Sequence, residues 1–261
     1  PVLNKKVVEY AVKAGLATNC EISRFSKQDR KNYFYPDLPK AFQTSQYDLP
    51  LCEHGYLEFN VDGYKKKAGI TRIHIEEDAG KLIHDAYTGA TLVDMNRCAV
   101  PLIEIVSEPD IRTADEAVMY MQTLKSILEY LEVCDCKMQE GSLRCDVNLS
   151  VRKKGSTEFG TRTETKNLNS FKSIKDSIEF ETKRQIEELE NGGVIYQETR
   201  RFDDAKGIGY AMRTKEDAND YRYFPEPDLA PIVLSDEYIE NIKNNLPELP
   251  HIRKERYVKE Y

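Results

Sequence analysis

Glu104 stands inside the run Val100-Pro101-Leu102-Ile103-Glu104-Ile105-Val106, where every near neighbour is apolar. A carboxylate in such a setting is costly unless it is paired, protonated or bound to a cation. An ion pair with Arg97 or Arg144 answers that need as well as a cation does. A second acidic group ends the run Ile73-His74-Ile75-Glu76-Glu77-Asp78-Ala79-Gly80. Strand alternation puts Glu77 on the face of Ile73 and Ile75, and Glu76 on the opposite face with His74. Acids at a strand end are commonly a solvated turn. The third acid is Asp146, flanked by Arg144 and Asn148 on the polar side of an alternating strand. Hard cations such as Mg²⁺ take carboxylate, water and phosphate oxygens. Glu77, Glu104 and Asp146 on neighbouring antiparallel strands would supply such a set, and the expectation is that they converge on one cation site.

Other chemistries find little support. The chain has no Gly-x-x-x-x-Gly-Lys-Ser/Thr loop and no Gly-x-Gly-x-x-Gly after a strand, so the familiar phosphate cradles are missing. Four histidines and no Gly-x-Ser-x-Gly elbow argue against a Ser-His-Asp hydrolase. The net charge of −7 argues against nucleic-acid binding by generalised counterion release, while leaving room for RNA held by a local patch. Basic runs such as Lys65-Lys66-Lys67 and Arg152-Lys153-Lys154 read as solvated surface. Of the six cysteines only Cys134 and Cys136 are close in sequence, which fits reduced thiols better than a zinc site. No apolar run approaches the roughly 18–20 residues that span a bilayer, and no signal peptide opens the chain. The expected location is bacterial cytoplasm, or a mitochondrial or plastid matrix.

The elements that must position these acids follow from spacing and caps. Asn4 is expected to cap a helix carrying Val8, Ala11, Val12 and Leu16, ended by Gly15 and Asn19. The Pro- and Tyr-rich segment Asn32 to Lys40 reads as an ordered loop. Leu57, Phe59 and Val61 alternate into an Asp62-Gly63 turn and a return strand with Ile73 and Ile75. Val100 to Val106 is a third strand. Thr113 and Glu116 form a capping box for a helix striped by Met121, Leu124, Leu128 and Leu131. Leu143 to Arg152 alternates as a strand, and Ser170 to Asn191 forms a second long helix with Phe171, Ile174, Ile178, Ile186 and Leu189 as its buried stripe. A second hairpin turns at Lys206-Gly207. The fold expected is α+β, an antiparallel sheet backed by helices. Both chain ends read as cut.

Taken in order, several segments resemble one family, the B subunits of the tRNA-dependent amidotransferases. They are Asp29 to Lys40, Glu76 to Lys81, Pro101 to Arg112, Glu140 to Asn148, Lys166 to Ser170 and Asp220 to Asp228. The resemblance covers essentially the whole chain. It implies a core similar to glutamine synthetase and the guanido kinases, and a heterotrimer with an amidase-like A subunit and a small C subunit. In that assembly the B subunit uses ATP and Mg²⁺ to phosphorylate the Asp or Glu misacylated on tRNA(Asn) or tRNA(Gln). Ammonia released from glutamine by the A subunit then displaces the phosphate. By position Glu77, Glu104 and Asp146 correspond to the family's Mg²⁺-binding acids, and Lys31 and Lys40 to lysines along the ammonia path. Phosphate oxygens call for cationic partners, and Arg144 is the arginine expected to face them.

The family's Gly-Leu-Glu-Val-His segment would precede Pro1, and its tRNA-gripping helical and tail domains would follow Tyr261. Residues 1–234 are therefore expected to be a catalytic domain, and residues 235–261 the start of the next, helical region. Two other classes compete with this reading. A non-catalytic RNA-binding scaffold needs no converging acids; an unrelated carboxylate–amine ligase or guanido kinase needs neither tRNA nor a partner amidase.

Overall fold

The computed structural model describes residues 2–85, 87–214 and 220–261, without the side chains of Asn167, Arg213 and Thr214. In chain order its first half comprises α1 (Lys5–Ala17), β1 (Glu21–Ile22), β2 (Phe25–Ser26), β3 (Asp29–Asn32), β4 (Phe42–Ser45), β5 (Cys52–Val61), β6 (Tyr64–Glu77), β7 (Lys81–His84), β8 (Thr91–Asp94) and β9 (Pro101–Ser107). There follow α2 (Ala114–Tyr130), β10 (Cys145–Leu149), β11 (Thr163–Leu168), α3 (Phe171–Glu190), β12 (Glu198–Asp203), β13 (Ile208–Thr214), β14 (Phe224–Pro225), β15 (Ile232–Val233), α4 (Asp236–Asn244) and α5 (Pro250–Glu260). Two compact units result: residues 1–57, 67–110 and 220–261 form one, and residues 58–66 and 111–219 the other. The helices α4 and α5, expected to open a separate region, group with the first unit.

The main sheet, whose hairpin tip at residues 58–66 groups with the second unit, has the order β1-β5-β6-β9, with β9 antiparallel to β6 at its edge. The Asp62-Gly63 turn has positive φ at both residues, 37° and 91°, as a two-residue hairpin between right-twisted strands requires. A bulge between Ile70 and Arg72 resets the parity of β6, so Ala68, Ile70, Ile73 and Ile75 are all buried. Asn4 caps α1 by accepting from the Lys6 amide. The helix runs through Gly15 to Ala17, so of the two residues expected to end it Gly15 lies inside and Asn19, at φ 59°, lies just past the end. A Cβ at Gly15 would lie 2.6 Å from the Cys52 sulfur, so this glycine serves the close approach of α1 to β5. The edge position of β9 also corrects the setting of Glu104, which is partly exposed like its strand neighbours and not sunk in the core.

In the second unit the Thr113 hydroxyl accepts from the Glu116 amide at 3.1 Å, the expected cap of α2. Met121, Leu124, Leu128 and Leu131 are buried as their spacing predicts. Its sheet has the order β10-β11-β12-β13. The β11–β12 pair is parallel, against the expectation of a purely antiparallel sheet. The twenty residues of α3 lie between these strands and supply the long crossover that a parallel pair demands. The face that α3 buries differs too. Ile186 and Leu189 are exposed, while Ser173, Ser177, Glu181 and Gln185 are buried beside Ile174. Polar partners from the sheet decide this: Glu181 accepts from Thr163 at 2.8 Å and pairs with Arg200 at 3.0 Å.

Candidate functional site

The pairing of β6 with β9 sets which acids meet. His74 lies opposite Glu104, Glu76 opposite Leu102 and Glu77 opposite Pro101. Strand alternation then gives Glu104, His74 and Glu76 a common face and turns Glu77 to the other. Among the described residues these three form a group whose potential ligand atoms all lie within 4.8 Å of one another. His74 and Glu76 are buried, at 3% and 8% exposure. Of the three acids expected to converge, Glu104 is joined on this face by Glu76 and not by Glu77, while Asp146 lies in the second unit.

The remaining strands of this unit supply the surroundings. Ser45, at the end of β4, donates to Glu76 Oε2 at 3.1 Å, and His74 Nε2 lies 3.4 Å from the same oxygen. Burial by itself would raise the Glu76 carboxyl. The hydrogen bonds from His74 and Ser45 and the positive charge of Lys31 outweigh it, holding the group below the ordinary carboxylate range. Lys31, on β3, places its Nζ 4.9 Å from the Tyr221 ring centroid. Tyr221 and Tyr223 arrive because β14 pairs with β3 and because Arg30 makes a two-pronged bond to the buried Glu226, at 2.7 and 2.8 Å. Tyr223 stacks on Tyr47 with ring centroids 4.3 Å apart. Burial first, then the charges of neighbours including Glu76 and Glu104, pushes the Tyr223 hydroxyl up to about 12, and it stays protonated.

Glu77 is held elsewhere. Lys40 Nζ lies 2.5 Å from its Oε2 and the Thr44 amide 3.2 Å from the same oxygen, while Gln43 donates to its backbone carbonyl. Lys40 also sits over the Phe42 ring at 4.6 Å. Arg97, offered above as a partner for Glu104, instead bonds Asp78 at 2.7 Å. In the second unit Asp146 lies on the exposed face of β10, bonded by Lys166 Nζ at 2.6 Å; Lys166 also pairs with Glu164 at 3.2 Å. Burial tends to lower the Lys166 ammonium, but the two carboxylates more than offset it and raise it. Arg144 is exposed and immediately precedes β10.

This pattern of acids and lysines can be set beside known proteins. Residues 1–240 match the family described as GatB/GatE catalytic domain. The chain belongs to that family. It is 69% identical, over its full length, to the B subunit of the aspartyl/glutamyl-tRNA(Asn/Gln) amidotransferase of Caldicellulosiruptor bescii, covering 54% of that protein. The counterpart of the same name from Thermoanaerobacter sp. is 67% identical and 55% covered, and that of Thermodesulfovibrio yellowstonii 60% identical and 55% covered. The chain therefore spans about half the length of the relatives it matches.

The donor set suits a hard divalent cation. Among the described residues the group offers two carboxylates and one imidazole, and carboxylate oxygens favour Mg²⁺ over softer metals. Sequence reading paired His74 with Glu76 but missed their meeting with Glu104, because the register of β9 against β6 was not known. The alternation within each strand was the available signal; only the pairing was lacking. Tyr221 and Tyr223 entered the sequence reading solely as part of a resembling segment. Among the described residues no helix is long and apolar enough to cross a membrane.

Proposed function

We propose that this chain carries the carboxylate-activating site of a heterotrimeric amidotransferase that converts Asp-tRNA(Asn) or Glu-tRNA(Gln) to its amide. The observation that carries the reading is the meeting of Glu76 and Glu104 on one face of β6 and β9, in a chain of the GatB/GatE catalytic domain family. A carboxylate resists amidation because its leaving group would be oxide. Transfer of the ATP γ-phosphoryl to the aminoacyl carboxylate gives an acyl phosphate, and attack by ammonia then expels inorganic phosphate. Glu76 and Glu104 would hold Mg²⁺, which when bound screens the repulsion between phosphoryl and carboxylate.

The chain's own residues do the rest. Ser45 and His74 fix the orientation of the Glu76 carboxylate. Lys31 balances the charge of the acidic pair from across the site. The stacked Tyr47 and Tyr223 rings, with Tyr221 edge-on, give the site an aromatic wall. Lys40, clamped on Glu77, belongs by the family resemblance to the ammonia route, with the amidase-like A subunit as the source and the small C subunit completing the trimer.

The test uses the full-length trimer. Glu104→Gln and Glu76→Gln each remove one charge while keeping size. Both are expected to leave misacylated-tRNA binding near normal and to reduce tRNA-dependent ATP cleavage at least tenfold. Wild-type rates of acyl-phosphate formation in both variants refute the reading in favour of a scaffold, whose ATP cleavage would reside elsewhere.

A further inference from the structure

Arg72, His74 and Glu76 are alternate residues of β6 on one face, and they form a chain of contacts. Arg72 Nε donates to His74 Nδ1 at 3.3 Å, and His74 Nε2 faces Glu76 Oε2 at 3.4 Å. We propose that His74 is a positioning residue that presents Glu76 to the cation and is not itself a ligand. The inference rests on the cation reading above.

Proton placement on His74 decides between the two roles. A guanidinium has only donors and keeps its proton at any pH a protein meets. His74 Nδ1, facing Arg72 Nε–H, must therefore offer its lone pair. A neutral imidazole whose Nδ1 accepts carries its proton on Nε2, and that N–H points at Glu76. Nitrogen in this state has no lone pair for a metal. The other tautomer would set an N–H against the Arg72 N–H and give up both bonds, and His74 is only 3% exposed. On Glu76 the result is directional. Oε2 accepts from both His74 and Ser45, so among the described residues Oε1 is the oxygen left for a cation. The nearness of a histidine nitrogen to two carboxylates suggests a three-ligand site. The donor at Arg72 converts it to two oxygen ligands and an orienting imidazole, an arrangement that favours a hard cation over zinc.

Mn²⁺ is the probe, bound to the full-length protein with its histidines labelled with ¹⁵N and read by pulsed electron paramagnetic resonance. The expected result is a histidine-nitrogen coupling that is the same in the unsubstituted protein and in His74→Gln, whether absent in both or equal in both. Glutamine keeps an acceptor for Arg72 and an amide donor for Glu76, so Mn²⁺ affinity should stay within about threefold. His74→Leu removes the donor and should weaken Mn²⁺ about ten- to a hundredfold, the usual range for residues that orient a metal ligand. A coupling that vanishes in His74→Gln makes His74 a ligand and overturns the inference alone, as does wild-type affinity in His74→Leu. Unchanged Mn²⁺ affinity in Glu104→Gln removes the cation site itself, and this inference with it.

Discussion

Replacing Glu181 should be among the most damaging single changes in the second unit, although the residue touches none of the proposed site. Its carboxylate is 3% exposed and accepts from Thr163 at 2.8 Å, Gln185 at 2.9 Å, and Arg184 at 2.7 and 2.8 Å. Arg200 lies 3.0 Å away and is itself only 7% exposed. Glu181→Ala leaves that guanidinium with Glu198 as its remaining carboxylate and removes one acceptor from each of two buried donors, Thr163 and Gln185. Breaking a buried pair from one side costs about 3–5 kcal/mol. Because Arg200 keeps Glu198, about 4 kcal/mol is expected, or roughly 8–16 °C in Tm for a chain of this size. The double change Glu181→Met with Arg200→Met removes both charges and should recover most of the loss, since apolar replacement of a buried pair is often near neutral.

The pH dependence follows from the same bonds. Burial pushes the Glu181 carboxyl up, but the bonds from Arg184, Gln185 and Thr163 and the charge of Arg200 prevail and lower it. A lowered folded-state value means the contribution is complete above the ordinary carboxylate range and is lost as pH falls through the folded-state value. Urea unfolding of the single and double variants measures all of this, and the deficit of Glu181→Gln relative to the native protein should shrink in acid. A cost under about 1 kcal/mol for Glu181→Ala, or a double variant as unstable as the sum of the singles, refutes the reasoning.

Gly15→Ala places a Cβ 2.6 Å from Cys52 Sγ and 2.8 Å from Ile22 Cδ1, so despite the better helix propensity it should destabilise by about 1–2 kcal/mol, with Cys52→Ala restoring part of the loss in denaturant titration. Lys40→Met in the full trimer should spare glutamine hydrolysis while lowering transfer of ammonia to tRNA; normal transfer would make Lys40 a plain partner of Glu77. Alkylation by iodoacetamide at about pH 8 should leave Cys52 and Cys136 unmodified until the protein is unfolded. Burial raises both thiols, Cys136 to about 12, and mass spectrometry of the native protein showing either one labelled early would contradict this.

The proposed cation site shows how an acid can be recognised and still misplaced. Glu104 drew attention because a carboxylate inside an apolar strand needs an explanation, and it does lie in the candidate site. The supposed cause was burial, yet β9 is an edge strand and Glu104 is partly exposed. Its neighbour in the site is Glu76, one residue from the acid the family resemblance pointed to. Adjacent residues on a strand face opposite ways, so one position separates the acid beside Glu104 from the partner of Lys40.

What the sequence determined by itself is local or familial. Asn4, Thr113 and Ser170 cap their helices, and Asp62-Gly63 and Gly207 turn their hairpins, because these signals act within a few residues. The long resembling segments carried the family. Tertiary structure alone decided the register of β9 on β6, which set Glu104 opposite His74; the passage of α1 through Gly15; the parallel pairing of β11 with β12; and the polar face that α3 buries. Each of these depends on partners far away in sequence. Periodicity says which residues share a face, but the choice of facing strand belongs to the burial and hydrogen bonding of the whole unit. A slip of one residue in that choice turns every side chain to the other side.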